Sequence, residues 1–368
     1  MDIINDEYYM RLALDLAARA RGQTGINPVV GCVVVKAGRI IGVGSHLKRG
    51  EEHAEVHALR MAGDEARGST VYVTLEPCSH TGKTPPCCER IIESKAAKVV
   101  VAMMDPNPKV AGRGIGRLRE QGIDVKTGVL EEEARKLNEP FVKYITTGMP
   151  FVTLKTASTL DGKIAAKSGD SQWVTGPKAR ERVHTLRHLH HGIMVGAGTA
   201  LTDDPQLTTR LSVPGISPVR IVADSRLRLP QTSRLLSDGA TKTIILTTEQ
   251  ADGNKVKALE AAGARVIACG AGKQVDLRQA MKRIGEMEIG SVLLEGGGRL
   301  NGAMLEARLI DKMVLFFAPK IIGGMGAPTN FQFGGWDRMS DAVQLRDVKV
   351  DTIGEDICIT GYPVYPSL

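Results

Sequence analysis

One short set of residues near the N-terminus restricts the possible folds of this chain more than any other feature. His53 is followed two residues later by Glu55, and cysteines occur at Cys78 and Cys87. One histidine and two thiolates can hold a zinc ion and leave its fourth position open, whereas a structural zinc usually takes four protein ligands. The fold must therefore bring three separate segments of the chain to one point.

The local sequence predicts how these segments meet. Two residues rotate a helical side chain by about 200°, so His53 and Glu55 can face one point only where a helix begins. Cys78 follows the apolar strand Val71–Leu75, and Cys87 follows two prolines, which suit the entry to a helix. Both thiolates are therefore predicted at helix N-termini, where the helix dipole favours negative charge.

This spacing resembles that of the zinc-dependent base deaminases, in which H-x-E is followed by P-C and a second cysteine. One zinc ion per chain would lower the pKa of its water to about 7, and the resemblance implies that Glu55 passes the proton to the departing amine. A four-ligand structural site that uses Cys88, His57 or His80 is the main alternative, but it leaves Glu55 without a role. The spacing alone does not decide between Cys87 and Cys88 as the third ligand.

The length of the chain predicts two domains, because 368 residues are too many for one hydrophobic core. The segment Glu131–Thr147 is predicted to be one helix, and Gly148-Met149-Pro150 is a stop signal. We therefore predict domains over residues 1–147 and 150–368. Both domains alternate strand-like with helix-like segments, which indicates layered α/β folds.

The strand-like segments of the two domains differ in pattern. In the first domain, Val29–Val35 and Ile40–Val43 are predicted to form a hairpin. In the second domain most strand candidates are continuous apolar runs, such as Met313–Phe317 and Ser291–Leu294, as expected for strands covered on both faces. The stretch Leu211–Pro218, with two prolines and a glycine, is predicted to be an exposed loop.

Composition restricts the class of protein and its partners. The chain has no run of about eighteen apolar residues and an acidic N-terminal segment, so we expect a cytoplasmic protein without a membrane span. Three of the dispersed cysteines, Cys32, Cys269 and Cys358, are expected to be small buried apolar residues. The net charge of +7 fits phosphorylated small molecules, nucleic acid, or a surplus of solvated lysines.

Eight residues separate Cys78 from Cys87, whereas simple base deaminases carry P-C-x-x-C. This spacing, with Asn27-Pro28-Val29-Val30-Gly31 and His46, resembles the bifunctional deaminase/reductase family of riboflavin biosynthesis. Motifs of the second domain match the same family in order. They are Leu154-Lys155, Asp161-Gly162, Ser171-Gln172-Trp173, Asp203-Asp204-Pro205 and Leu294-Glu295-Gly296-Gly297-Gly298.

The resemblance implies a cytidine-deaminase-like three-layer α/β domain followed by a dihydrofolate-reductase-like domain. It implies zinc-dependent deamination of 2,5-diamino-6-(5-phosphoribosylamino)pyrimidin-4-one. It also implies NADPH-dependent reduction of the ribosyl group, which gives 5-amino-6-(5-phosphoribitylamino)uracil. The expected cofactors are Zn²⁺ and NADPH, and a homo-oligomer is expected from related enzymes.

The same resemblance assigns residues to each site. Cys87 would be the third zinc ligand, and Lys155 would lie near the reductive chemistry. The deaminase substrate would contact Asn27, His46, His80 and Lys83. The reductase substrate would contact Ser171, Arg187, Leu207, Arg210 and Glu295. The NADPH site would be lined by Ala157, Trp173, Thr199, Asp203, Ser225, Gly297, Gly298, Arg299, Leu300 and Asn301.

Without the resemblance, the second domain carries weaker signals. Gly296-Gly297-Gly298 follows a predicted strand and precedes a helix, so its N–H groups can cradle a phosphate or simply form a tight turn. Arg187 and Arg210 are singled out by the resemblance, and two arginines suit a phosphate monoester because their forked donors bind it bidentately. Trp173 can equally be a core residue, and Asp203-Asp204 can equally be a turn.

Two other classes of function stay open at this point. One is a deaminase that edits nucleic-acid bases and whose C-terminal half binds RNA, which the net charge permits. The long spacing between Cys78 and Cys87 and the aromatic content of 4% count against it, since base stacking needs aromatic side chains. The other is a zinc-stabilised binding module without catalysis, which gives Glu55 no role.

Overall fold

The computed structural model describes residues 3–79, 85–108 and 110–366 of the chain. The chain divides into two compact units, Met1–Gly148 and Met149–Leu368. Within the described ranges, no helix combines the length and the apolar character that crossing a membrane requires.

The first unit is built on a five-stranded sheet. Its strands are β1 (Gly31–Lys36), β2 (Arg39–Ser45), β3 (Thr70–Leu75), β4 (Lys98–Met103) and β5 (Asp124–Thr127). They lie in the order β2-β1-β3-β4-β5, with β1 antiparallel to both neighbours and β3, β4 and β5 parallel. The predicted hairpin is present as β1 and β2. The sequence does not reveal β5, because only Val125 of its four residues is buried.

In the described part of this unit, six α-helices accompany the sheet. They are α1 (Asp6–Arg19), α2 (Ala54–Ala62), α3 (Cys87–Glu93), α4 (Arg113–Glu120), α5 (Glu131–Leu137) and α6 (Glu139–Thr147). The prediction of one helix over 131–147 is wrong, because the chain breaks between α5 and α6 at Asn138. The Asn138 side chain is buried and pairs with the backbone of Val29, accepting at 2.8 Å and donating at 3.0 Å. Pro140 also removes a donor that a continuous helix needs.

Close approaches of helix to sheet show that the first unit has three layers. An added Cβ at Gly31 would lie 1.9 Å from the carbonyl oxygen of Ala13 in α1, and one at Gly44 would lie 2.1 Å from that of Ala54 in α2. Gly44 pairs with Cys32, the neighbour of Gly31 in β1. Since successive residues of a strand face opposite sides, α1 and α2 cover opposite faces of the sheet.

The second unit is built on a nine-stranded sheet in the order β10-β9-β8-β7-β11-β6-β12-β14-β13. Its strands are β6 (Phe151–Thr159), β7 (Gly192–Gly196), β8 (Val219–Ala223), β9 (Thr243–Thr247), β10 (Ala264–Ala268), β11 (Ser291–Leu294), β12 (Lys312–Ala318), β13 (Gln344–Ile353) and β14 (Asp356–Val364). The strands from β10 to β12 in this order are parallel, and β14 and β13 continue the sheet antiparallel.

Helices cover both faces of this second sheet. They are α7 (Pro177–Leu189), α8 (Ala197–Asp203), α9 (Arg234–Ser237), α10 (Gly253–Ala261), α11 (Leu277–Glu286) and α12 (Gly298–Glu306). Met194 of β7 belongs to one buried apolar cluster, and its neighbours Ile193 and Val195 belong to another. Both faces of the central strands are therefore buried, as the continuous apolar runs predict. The carboxyl ends of parallel strands share one edge, where ligands bind in open α/β sheets.

Candidate active sites

Three side chains with zinc-binding atoms converge in the first unit. His53 immediately precedes α2 and has an extended backbone, with φ −80° and ψ 166°. Its Nδ1 lies 3.2 Å from the sulfur of Cys87 and 3.7 Å from the sulfur of Cys78. All three donor atoms lie within 4.8 Å of one another, so one nitrogen and two sulfurs surround a position where a zinc ion fits.

The two cysteines meet at the N-terminus of α3. Cys87 is the first residue of this helix, and its backbone N–H donates a hydrogen bond of 3.3 Å to the sulfur of Cys78. A hydrogen bond with the thiol of Cys87 lowers the pKa of Cys78 well below that of an ordinary thiol. This favours the thiolate, the form that binds metal.

Glu55 lies in the first turn of α2 beside this cluster. Its side chain is buried, and its Oε2 has no hydrogen-bond partner in the described part of the chain. Burial raises the pKa of Glu55 to about 7. A carboxyl group in this state takes up and releases a proton near neutral pH, and its unpaired oxygen leaves room for a polar ligand.

Two of the residues assigned to the deaminase substrate form a hydrogen-bonded pair. The Asn27 amide nitrogen lies 3.2 Å from Nε2 of His46, and Nδ1 of His46 lies 3.3 Å from the carbonyl oxygen of Glu52. Because that carbonyl only accepts, His46 carries its hydrogen on Nδ1 and accepts from Asn27 at Nε2. The His46 ring is 2 % exposed and lies 5.1 Å from the ring of His53.

The candidate fourth ligands have other partners or fall outside the described residues. Nδ1 of His57 lies 3.9 Å from Glu52, and the thiol of Cys88 contacts Glu89 at 4.0 Å. Neither belongs to the cluster of donor atoms around His53. His80 lies outside the described residues, and so does Lys83.

Sequence reasoning missed Glu76, a buried residue whose carboxylate anchors the segment that carries the zinc-binding residue Cys78. Glu76 lies two residues before Cys78 and is 5 % exposed. Its carboxylate accepts four backbone N–H groups, from Asp105, Gly112, Gly114 and Ile115, at 2.9 to 3.3 Å. This carboxylate therefore ties the start of α4 to the segment that carries Cys78. The sequence signal that could have revealed this role is an acidic residue directly before Pro-Cys at a strand end.

The second unit has two adjoining cavities at the carboxyl edge of its sheet. We call the larger one, of about 740 Å³, the glycine-lined cavity, and the other, of about 670 Å³, the charged cavity. They share part of their walls, formed by Ile164, Gly198, Thr199, Gly297 and Pro328. Each cavity follows the ends of several strands, as expected for a binding site in an open α/β sheet.

The glycine-lined cavity fits a phosphate-bearing dinucleotide. Gly297 precedes α12 and Gly298 begins it, so backbone N–H groups at the helix N-terminus border the cavity. A Cβ at Gly298 would lie 2.3 Å from the carbonyl oxygen of Thr329, so only glycine fits this close approach. Four cations also line it, Arg226, Arg228, Lys273 and Arg299. Predicted NADPH residues in this cavity are Thr199, Ser225, Gly297, Gly298, Arg299 and Leu300.

The charged cavity contains most of the remaining predicted residues. These are Lys155, Ala157, Ser171, Trp173, Arg187, Asp203, Arg210, Glu295 and Asn301. Asn301 is buried, and its Oδ1 has no hydrogen-bond partner among the described residues, which leaves an acceptor for a ligand in this cavity. Leu207 is the exception, because it is 3 % exposed, belongs to the apolar core and lines neither cavity.

A buried ionic network forms one wall of the charged cavity. Arg187 donates two hydrogen bonds to Glu295, at 2.8 and 3.1 Å, and Nζ of Lys155 lies 3.8 Å from the same carboxylate. Burial opposes ionisation of Glu295, but the charges of Arg187 and Lys155 outweigh it and lower its pKa to about 2. Burial lowers the pKa of Lys155. Two cations and one carboxylate leave a net positive wall, which suits an anionic substrate.

The helix α7 also contributes two residues that sequence reasoning missed. Arg180 and His184 line the charged cavity together with Arg187, at spacings of four and three residues on one helical face. The Arg180 guanidinium lies 4.5 Å from the centre of the Trp173 ring, over its face. The regular spacing of basic residues along α7 is the sequence signal that could have revealed this face.

Comparisons with known proteins identify the family of each half of the chain. Residues 3–103 match the cytidine and deoxycytidylate deaminase zinc-binding region, and residues 150–359 match the RibD C-terminal domain. The riboflavin biosynthesis protein RibD of Bacillus amyloliquefaciens is 45% identical over 97% of this chain and 96% of its own. The chain belongs to the RibD family.

Solved structures of this family have the same fold as the whole chain. Acinetobacter baumannii RibD, form 1, is 38% identical, covers 98% of this chain and 99% of its own, and superimposes with a TM-score of 0.89. A diaminohydroxyphosphoribosylaminopyrimidine deaminase/5-amino-6-(5-phosphoribosylamino)uracil reductase from Thermotoga maritima is also 38% identical, with the same coverage and a TM-score of 0.86.

The family settles the class of protein. The fold prediction is confirmed, with a cytidine-deaminase-like N-terminal domain and a RibD-type C-terminal reductase domain. This RibD family member is a bifunctional enzyme of riboflavin biosynthesis, as the sequence predicted. It combines a zinc-dependent deaminase with an NADPH-dependent reductase.

Proposed function

We propose that the first unit deaminates 2,5-diamino-6-(5-phosphoribosylamino)pyrimidin-4-one, and that the second reduces the deaminated product with NADPH. The product would be 5-amino-6-(5-phosphoribitylamino)uracil. The observation that carries the proposal is the buried carboxyl group of Glu55, with an unpaired oxygen beside His53, Cys78 and Cys87. The Thermotoga maritima relative, whose name states both activities, supports the choice of substrate.

In the proposed deaminase site, each residue near the cluster has one task. His53, Cys78 and Cys87 would hold the zinc ion, which when bound would supply hydroxide near neutral pH. Glu55, whose pKa burial raises to about 7, would accept a proton on its carboxylate and deliver it to the departing amine. Since Asn27 donates to His46, its amide oxygen is left to accept from an N–H group on the edge of the pyrimidine.

In the proposed reductase site, residues of the glycine-lined cavity would hold NADPH, which when bound would supply a hydride to C1 of the ribosyl group. The bond from C1 to the ring oxygen breaks, and that oxygen takes up a proton. Lys155 is the proposed source of the proton, because burial lowers its pKa and its ammonium lines the charged cavity. Arg210 and Arg187 are proposed to bind the substrate's phosphate, and Glu295 holds Arg187 in place.

The remaining parts of the proposal concern partners and location. The partner is a phosphorylated pyrimidine, which the net positive charge of both the chain and the charged cavity suits. A homo-oligomer and a cytoplasmic location are kept as predictions from the sequence.

The deaminase assignment is tested with Glu55→Gln. This variant keeps the size of the side chain but cannot carry a proton, so ammonia release should fall by at least about a hundredfold. Zinc content, measured by atomic absorption, should stay at one ion per chain, and reduction of the deaminated intermediate should be unchanged. Ammonia release at the original rate would contradict the role of Glu55, and loss of zinc would place Glu55 in metal binding instead.

A further inference from the structure

Two histidines of α7 accept hydrogen bonds from backbone N–H groups of an exposed loop. His184 and His188 are one turn apart, and the loop of residues 204–218 connects α8 to β8. The backbone N–H of Arg210 donates to Nδ1 of His184 at 3.2 Å, and that of Ile216 donates to Nδ1 of His188 at 3.0 Å. Two imidazole acceptors therefore bind two points of one loop.

A third contact connects this loop to the charged cavity. Arg187 lies between the two histidines in sequence and donates to the carbonyl oxygen of Thr208 at 3.1 Å. The same guanidinium holds Glu295. Arg210 belongs to the loop of residues 204–218 and lines the charged cavity. The position of its side chain thus depends on how α7 holds the loop backbone.

The loop is shaped to fit this face of α7. Thr209 closes it internally, donating from its hydroxyl to the carbonyl of Ile216 at 2.8 Å and from its backbone to Ser217 at 3.0 Å. A Cβ at Gly215 would lie 2.7 Å from the methyl group of Thr209 and 3.7 Å from Nδ1 of His188. The loop therefore has a defined structure although most of its residues are at least partly exposed.

The protonation state of His184 suits its task as an acceptor. Partial burial and the positive charges of Arg187 and Arg210 lower its pKa to about 4, although Glu295 acts in the opposite direction. The imidazole is therefore neutral at physiological pH. A neutral imidazole keeps a lone pair on Nδ1, which can accept the N–H of Arg210.

We propose that His184 and His188 are positioning residues of the reductase, which dock the 204–218 loop on α7 and so hold Arg210 at the substrate. The proposal rests on the proposed assignment of Arg210 to the phosphate of the substrate. Neither histidine takes part in hydride or proton transfer. Docking by backbone N–H groups explains how an exposed loop keeps Arg210 in the wall of the cavity that Arg187 also lines.

The test compares two substitutions at each histidine. His184→Asn and His188→Asn keep an acceptor near the position of Nδ1, whereas His184→Ala and His188→Ala remove it. Loss of one hydrogen bond shifts an equilibrium by roughly three- to tenfold. Each alanine variant should therefore raise KM for the deaminated substrate by that factor, with kcat and the KM for NADPH within about twofold of wild type. The asparagine variants should restore KM.

A matched control separates docking from a general loss of stability. Nδ1 of His191 accepts the backbone N–H of Gly290 at 3.2 Å, which is the same type of contact away from the loop. His191→Ala should leave KM unchanged. Hydrogen exchange without ligands provides an independent measurement, because the peptide over residues 206–217 should exchange faster in the alanine variants than in wild type and the asparagine variants.

Several results would overturn the proposal. Equal impairment by asparagine and alanine would mean that the ring itself contacts the substrate. A fall in kcat at unchanged KM, or unchanged exchange of the loop, would also refute docking. The exchange measurement needs no substrate, so loop docking can be confirmed even if the wild-type enzyme fails to reduce the proposed pyrimidine. That failure would count against the proposed function alone.

Discussion

At the residue scale, two buried glutamates have opposite protonation behaviour because their neighbours differ. Burial raises the pKa of Glu55 to about 7, whereas the charges of Arg187 and Lys155 overcome burial and lower the pKa of Glu295 to about 2. Glu55 is therefore suited to carry a proton, and Glu295 is suited to stay ionised and hold cations. When two carboxyl groups differ in pKa in this way, one can exchange protons while the other stays charged and binds cations.

Glu295→Gln should destabilise the second unit, because it leaves Arg187 and Lys155 buried without a counter-charge. The expected loss in free energy of unfolding is about 3 kcal/mol, the low end for breaking one partner of a buried pair. Urea denaturation measures it. Glu286→Gln is the control, since Glu286 pairs with Arg283 at 3.1 Å on the surface and should change stability by less than about 1 kcal/mol.

Glu295→Gln should also change how the free energy of unfolding depends on pH. Because folding lowers the pKa of Glu295 from 4.5 to about 2, its contribution is complete above about pH 4.5 and is lost as the pH falls towards 2. The difference in unfolding free energy between wild type and Glu295→Gln should therefore shrink over this range. A difference that is constant between pH 5 and 2 would contradict the ionised network.

Single residues also show what sequence can and cannot predict. His53, Glu55 and Cys78 follow from the sequence, because metal chemistry needs those atoms at that spacing, whereas the choice of Cys87 over Cys88 needed the family resemblance. Glu76 cannot be found in this way, since its partners are backbone N–H groups of a distant segment. His184 is missed for a similar reason, because its partner is a backbone group of a loop 26 residues away.

At the scale of secondary structure, the start of α12 determines how closely the cofactor can approach. Gly298→Ala should weaken NADPH binding at least about tenfold, because the new methyl group collides with the carbonyl of Thr329 and displaces the helix N-terminus. Fluorescence titration with NADPH measures this. Gly253→Ala is a close control, since Gly253 also begins a helix, α10, and has open space around its Cα.

The outcome of that comparison separates two explanations. Weaker binding in Gly298→Ala with ammonia release unchanged is the expected result. Equal weakening in Gly253→Ala would mean that loss of glycine at any helix start reduces binding, and the close approach at Thr329 would then not be the cause.

Secondary structure was predicted well where strands are buried and poorly where they are exposed. Strands such as β11 and β12 contain continuous apolar runs, so sequence identifies them directly. In β13 eight of the ten side chains are exposed, so the strand shows no apolar pattern that sequence could reveal. Its pairing comes from the backbone of β14. The break between α5 and α6 depends on a pairing between Asn138 and Val29, which lie far apart in sequence.

At the scale of the whole molecule, each unit has its own apolar core and its own candidate site. Lys155→Ala should therefore accumulate the deaminated intermediate while releasing ammonia at the original rate. Adding the Glu55→Gln variant should then consume that intermediate and oxidise NADPH, because its reductase site is intact. Coupled measurement of ammonia and NADPH follows both steps.

A mixture of the two variants thus tests whether the activities are separable. Recovery of NADPH oxidation after a lag supports independent sites joined by a diffusing intermediate. No recovery, with each variant folded and active in its own half-reaction, would show that the intermediate must pass between sites of one molecule.

The shared wall of the two cavities has a consequence for inhibitor design. A fragment in the glycine-lined cavity and another in the charged cavity would lie side by side at Thr199 and Gly297. A short covalent bridge between two such weak fragments would make the second contact intramolecular, and its effective concentration would reach roughly the millimolar range. This reductase site therefore favours linked bisubstrate compounds over molecules that fill either cavity alone.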